Sequence, residues 1–347
     1  MTPSAPADRL PHETPLLAGH TGKLARALST LALFALSTAF TLPASAAETF
    51  GYLAWQNDLF IGQDGGGYSN GLYLSRLRVA SAGEDSIEPP SLLRPLIEGL
   101  GLPRPTLTAL SLGQMMVTPR DITKNPPDST DAPYIGALLV RSTYVTVHEP
   151  AVHMLALTLG VIGPASGAKE TQRFSHKVTG SREPRGWDTQ VSNRGLLGVE
   201  GASGWRAAWH HDSGGPGADA IALGQAVLGN LQSSVGTTLM LRYGRGLDRS
   251  YPTTPRILSQ RGDPMLVEEG WFTFAAFSYD RIALHAGIDD GDPHQARLRK
   301  NSLRGSTGLA YGWKKSSLTL SVARDSALVE AGPPHSYASL SYTWRLR

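Results

Sequence analysis

Nine consecutive residues at the C-terminus alternate without a break: Ala338, Leu340, Tyr342, Trp344 and Leu346 are apolar, while Ser339, Ser341, Thr343 and Arg345 are polar. Successive side chains of a strand point to opposite faces, so a period of two means an extended segment with one apolar and one polar side. The same dyad recurs in Leu318, Leu320 and Val322 against Ser317, Thr319 and Ser321, and in Thr307, Leu309, Tyr311 and Trp313 against Ser306, Gly308, Ala310 and Gly312. Segments of this type number twelve, near 49–58, 70–80, 107–117, 134–147, 151–161, 195–209, 219–229, 235–244, 270–283, 303–313, 316–326 and 336–346. An even count suits a closed bacterial outer-membrane barrel.

A soluble β-sandwich or an exported β-helix also carries many short strands. Against these stand the segment lengths, close to the ~9–11 residues of a tilted membrane strand, and the tryptophans near segment ends. Trp55, Trp205, Trp209, Trp271, Trp313 and Trp344 suit interfacial girdles. Lipid offers backbone amides no partner, so only a closed sheet satisfies them all. The expected fold is therefore an all-β, transmembrane, antiparallel up-and-down barrel of about twelve strands.

Lys23 and Arg26 precede a soft apolar run, Ala27 to Leu42, followed by Ala44-Ser45-Ala46. This is the pattern of a secretory signal with a small-residue cleavage site. Residues 1–46 are thus expected to be a signal peptide, and 47–347 one barrel domain with no internal linker. Of 32 basic and 29 acidic residues, three and two precede Ala47, so the remainder is close to balanced and gives no argument for nucleic acid. The chain has no cysteine. An exported protein of this size must then hold together without disulfides.

If the first strand runs outward, the connections 59–69, 118–133, 162–194, 230–234, 284–302 and 327–335 face outside. The inner connections 81–106 and 245–269 are long, and Ser91 to Leu100 suggests a short helix. In the outer loop 162–194, Lys169 to Val178 contains neither Gly nor Pro, and Gln172 and His176 are one turn apart on a helix. A short helix in this extracellular loop would carry an imidazole over the rim, where it could accept a proton near neutrality.

Asn57-Asp58 at the end of the first strand, Tyr68-Ser69-Asn70-Gly71 opening the second, Gly163-Pro164, Gln172, His176 and Gly186-Trp187-Asp188-x-Gln190 resemble the outer-membrane lipid A 3′-O-deacylase family. Gly229-Asn230 and Asp289-Asp290-Gly291 extend the likeness over most of the chain after the leader. The resemblance implies a twelve-stranded barrel that uses calcium to hydrolyse the 3′ acyloxyacyl ester of lipid A, with lipopolysaccharide in the outer leaflet as substrate. It implies His176 as general base and Asn57 with Asp58 as the pair that orients water and helps hold Ca2+. Ser69 stands at a position that is usually a hydroxyl residue. The family has a Glu shortly after the histidine; Arg182 and Glu183 occupy that neighbourhood here, and Glu183 is the candidate acidic ligand. The protein is expected to work as a monomer in the outer membrane of a Gram-negative bacterium.

Each residue also has a plainer reading. Asn57-Asp58 could begin a polar loop, Ser69 could be a hairpin residue, Trp187 a girdle anchor, and Asp188 and Gln190 loop fasteners. Two other functions compete. His211-Asp212-Ser213-Gly214 could belong to a phospholipase with a serine nucleophile, which needs a base within hydrogen-bond reach. Small polar residues along the inner face could line a non-enzymatic pore or adhesin.

Overall fold

The computed structural model describes residues 47–81, 85–209, 215–251, 267, 269–288, 296–314 and 316–346. The expected signal peptide, His211 to Gly214 and Asp289-Asp290-Gly291 lie outside the described residues.

Twelve antiparallel strands form one closed barrel, each bonded to its sequence neighbours, with the first sealed against the last. They are β1 (Ala47–Asn57), β2 (Gly67–Ala80), β3 (Leu107–Thr118), β4 (Ile135–His148), β5 (Ala151–Ile162), β6 (Arg194–Trp209), β7 (Gly217–Gly229), β8 (Gln232–Arg245), β9 (Gly270–His285), β10 (Asn301–Trp313), β11 (Ser316–Asp325) and β12 (His335–Arg345). All twelve segments expected from the alternation are strands. Outward positions such as Leu53, Leu228, Leu239, Phe277, Leu320 and Leu340 are exposed. That much exposed leucine would be a liability in water and is the lipid-facing belt of a membrane barrel.

Inward positions carry ion pairs and small residues. Arg141 bonds Glu200 at 2.8 Å, Arg206 bonds Asp219 at 2.7 Å and Arg304 bonds Asp325 at 2.8 Å, so these lumenal charges are paired as burial requires.

The two long inner connections have separate jobs. In the first, α1 (Arg94–Gly99) packs Leu93 and Ile97 against Tyr144, Leu155 and Leu157 on the outside of the wall, and the Tyr144 hydroxyl donates to Pro103 O at 2.7 Å. In the second, a short helical turn (Leu247–Ser250) folds into the lumen. There Arg242 donates to Ser250 Oγ and Leu247 O, and Leu247, Tyr251, Val267 and Phe272 close that end.

The tryptophans are distributed unevenly. Trp205, Trp209, Trp271, Trp313 and Trp344 sit by register near the rim that carries the β4–β5 and β10–β11 turns, while Trp55 lies near the other end of its strand. Five of the six thus form a girdle on one side only.

Candidate active site at the lid rim

Asn57 and Asp58 mark the point where β1 stops being strand. Asn57 pairs directly across from Asn70; its amide donates to Asn70 Oδ1 at 3.4 Å and its Oδ1 accepts the Leu59 amide at 2.7 Å, which starts a 3-10 turn over Leu59–Ile61. Trp55 Nε1 donates to the same Asn70 oxygen at 3.1 Å. Asp58 N donates to Ser69 O at 3.1 Å, so the hairpin is closed by the two candidate residues themselves.

Ser69 is the extra residue of a β-bulge: in the pairing of β2 with β3, Tyr68 meets Val117 and Asn70 meets Met116, leaving Ser69 without an opposite number. A bulge re-aims a side chain. Here the Ser69 hydroxyl is turned to Thr118 Oγ1 at 2.5 Å. Gly71 is glycine because the Tyr68 hydroxyl and the Tyr73 ring lie where its Cβ would be.

The glycine loop brings backbone to the carboxylate. Gly65 N donates to Asp58 Oδ2 at 2.9 Å, and Gly65 and Gly66 both have φ of +102°, a region open to glycine. A Cβ on Gly65 would lie 2.4 Å from Pro119 O.

The lid is α2 (Ala168–Thr179), one residue longer at each end than the sequence suggested. Gln172 and His176 share its buried face. Gln172 Oε1 accepts the indole N–H of Trp187 at 2.6 Å, and Trp187 is fully buried with Met116, Ile122, Tyr134 and Ala168. Trp187 is therefore no girdle anchor; it pins the lid to the loop after β3. Gly186 gives way to the Tyr134 ring in that cluster. Asp188 is exposed and holds Lys169 Nζ at 2.5 Å. Asn230 fastens neighbouring strand ends through Gly195 O and Leu197 N.

His176 Nδ1 lies 2.6 Å from Arg182 O. A carbonyl can only accept, so Nδ1 carries the proton and, in the neutral ring, Nε2 keeps a basic lone pair. That Nε2 lies 3.8 Å from Asp64 Oδ1. Arg182 reaches the same carboxylate through Nε at 3.4 Å and donates from a terminal nitrogen to Asp64 O at 3.2 Å. Glu183 is exposed.

Asp58 is buried, with His335 Nε2 3.7 Å from Oδ2 and itself donating to Tyr68 O at 3.0 Å. Burial pushes the Asp58 carboxyl up to about 7; the charge of Asp64 adds to the rise, and the Gly65 amide opposes it. Asp64 already has Arg182 as a cationic partner; Asp58 has none as close among the described residues, and a hard divalent cation beside it would offset the cost of its buried charge. Among the described residues no three His, Asp or Glu side chains form a ready-made metal cluster, so such a cation would also draw on amide and carbonyl oxygens.

The structure thus brings His176, Asp64 and Arg182 together across the rim, and Asn57, Asp58, Ser69 and His335 together beside them. Asp64 and His335 escaped the sequence reading. Asp64 stands immediately before the three glycines, a visible signal; His335 opens the last strand, far away in sequence, with no local mark.

The family model for the outer-membrane protein LpxR matches residues 27–346. The chain belongs to the LpxR family. This is the lipid A 3′-O-deacylase family that its Gln172–Gln190 segment resembles, and the protein resides in the outer membrane of a Gram-negative bacterium. Among solved structures, LpxR from Salmonella typhimurium superposes with a TM-score of 0.68 at 17% identity, covering 86% of this chain and 100% of that one. An outer-membrane channel from Pseudomonas putida F1 reaches a TM-score of 0.39 at 14% identity over 88% of this chain and 97% of its own. No curated protein matches in sequence.

Proposed function

We propose that this LpxR-family protein is a lipid A deacylase that hydrolyses the 3′ acyloxyacyl ester of lipid A at the lid rim. The observation that carries the reading is the fixed tautomer of His176, whose free Nε2 stands beside Asp64 and on the same rim as Asp58. Nε2 takes a proton from water as the water oxygen bonds to the ester carbonyl carbon. The bond from that carbon to the ester oxygen then breaks, and the imidazolium returns the proton to the departing alkoxide. Asp64 steadies the imidazolium by its charge, and Asn57 holds the turn that sets Asp58 in place. Ser69, turned by its bulge, fixes the β1–β2 end against β3.

Calcium held by Asp58, with Asn57 and Glu183 as the family resemblance implies and Asp64 added by position, would act as a Lewis acid on the developing oxyanion. Arg182 bonded to Asp64 is a local departure that such binding has to accommodate.

The competing readings fit less well. β6 ends at Trp209 and β7 begins at Gly217 at the rim opposite the lid, and Ser213 falls between them in the sequence. A pore needs an open lumen, whereas here ion pairs cross it and the Leu247–Ser250 turn closes one end.

Purified protein incubated with lipopolysaccharide and, separately, with phospholipid tests this. Release of fatty acid from lipid A alone, stopped by a calcium chelator and untouched by Ser213→Ala, is expected. Phospholipid hydrolysis that persists in chelator and is lost in Ser213→Ala would replace the proposal with a serine enzyme.

A further inference from the structure

Immediately after Asp58, the 3-10 turn Leu59–Ile61 turns Phe60 and Ile61 outward, 44% and 37% exposed, with the Phe60 ring edge-on to Trp55 at 4.7 Å. Beneath this overhang a groove of about 620 Å³ runs over the outer wall across β9 to β12. Its sides are Leu309, Leu320 and Leu340, which lie in one hydrogen-bonded row with Trp55. Four neighbouring strands give it a span of roughly 14 Å.

The groove is apolar even where its residues are not. Thr273 donates its hydroxyl to Gly308 O at 3.1 Å and Thr307 to Phe274 O at 2.8 Å, which leaves their methyl groups for a ligand. The hollow comes from Ala338, and Ala338 is the register partner of Asn57. One end of the groove is therefore joined through the backbone to the candidate site.

Resting on the deacylase reading, we propose that this groove holds a fatty-acyl tail of the lipid A molecule whose ester lies at His176. The wall is already within the bilayer, its two threonine hydroxyls are bonded to backbone carbonyls, and the overhang admits a slender flexible chain while obstructing the broad wall of another barrel. Phe60 and Ile61, two and three residues beyond Asp58, then couple tail seating to the position of the carboxylate.

The test uses His176→Ala protein, so that binding is read without turnover, and lipid A bearing brominated acyl tails dispersed in detergent. Quenching of Trp55, isolated by subtracting the signal of a Trp55→Phe version, reports a tail in the groove. Ala338→Phe should weaken apparent affinity roughly tenfold, equivalent to about two buried methylenes. The outward-facing Ala222→Phe on β7 should leave it unchanged, and Thr307→Trp provides a second filling variant. Equal affinity in all three would overturn the proposal. So would equal quenching by brominated phospholipid with the same sensitivity to Ala338→Phe, since bulk lipid would then be the occupant. If the wild type releases no fatty acid from lipid A while the quenching pattern holds, the deacylase reading falls and the groove stands as a lipid A site.

Discussion

His176 Nε2 and Asp64 Oδ1 stand 3.8 Å apart, one on a helix over the rim and the other in the glycine loop after β1. The contact joins two connections of the barrel that share no strand. Arg182 reinforces it twice, by accepting the Nδ1 proton on its carbonyl and by bonding Asp64 with its guanidinium. A lid held this way presents a base of defined tautomer.

Replacing His176 by Ala is expected to lower the rate of acyl release by about 10²–10⁴, the usual contribution of a general base. Far-UV circular dichroism should be unchanged, because the lid contributes no strand. Retained activity would remove His176 from the chemistry.

Gly65→Ala should abolish activity and spare the barrel. A methyl group there meets Pro119 O at 2.4 Å and requires φ of +102°, so the loop must move and Asp58 loses its amide donor. A structure of the variant with the Gly65–Asp58 bond intact would contradict this.

The barrel was legible because alternation is a property of each strand taken alone, and every expected segment is a strand. The lid helix was legible from the stretch without Gly or Pro, and the shared face of Gln172 and His176 from their spacing. Contacts across the rim were not legible. For Trp187 the sequence offers both a place in the Gly-Trp-Asp-x-Gln motif and the plainer alternative of a girdle anchor; only packing against Tyr134 and Ile122 reveals it as lid core. His335 meets Asp58 because the first and last strands close the barrel, a relationship that no local pattern encodes.

Gln172→Leu leaves the buried Trp187 N–H without its acceptor, at a cost of about 1–3 kcal/mol. The cost falls on the lid. Limited proteolysis should cut the 163–193 connection faster than in the wild type, while heat-resistance of the barrel is unchanged. Equal cleavage rates would show that the bond does not hold the lid.

Asp58 sets a pH dependence with a definite sign. Its carboxyl titrates near 7 when folded and near 3.8 when exposed, so between those values the folded state holds the extra proton. Without added calcium, the Asp58 contribution to stability should be most favourable below about pH 4, fall as pH rises to about 7, and level off above. Asp58→Asn should flatten that fall. Thermal midpoints of both proteins from pH 3.5 to 8 check it, and identical slopes would contradict it.

The central claim is that the imidazole on the lid and the carboxylate at the strand end act as one hydrolytic centre. A double-mutant cycle tests it most directly: acyl release from lipid A by the wild type, His176→Ala, Asp58→Asn and the double variant, with calcium present. The expected result is a double variant about as slow as the slower single one, since parts of one machine cannot be lost twice. Losses that multiply would mean that the two residues work independently, and would contradict the account.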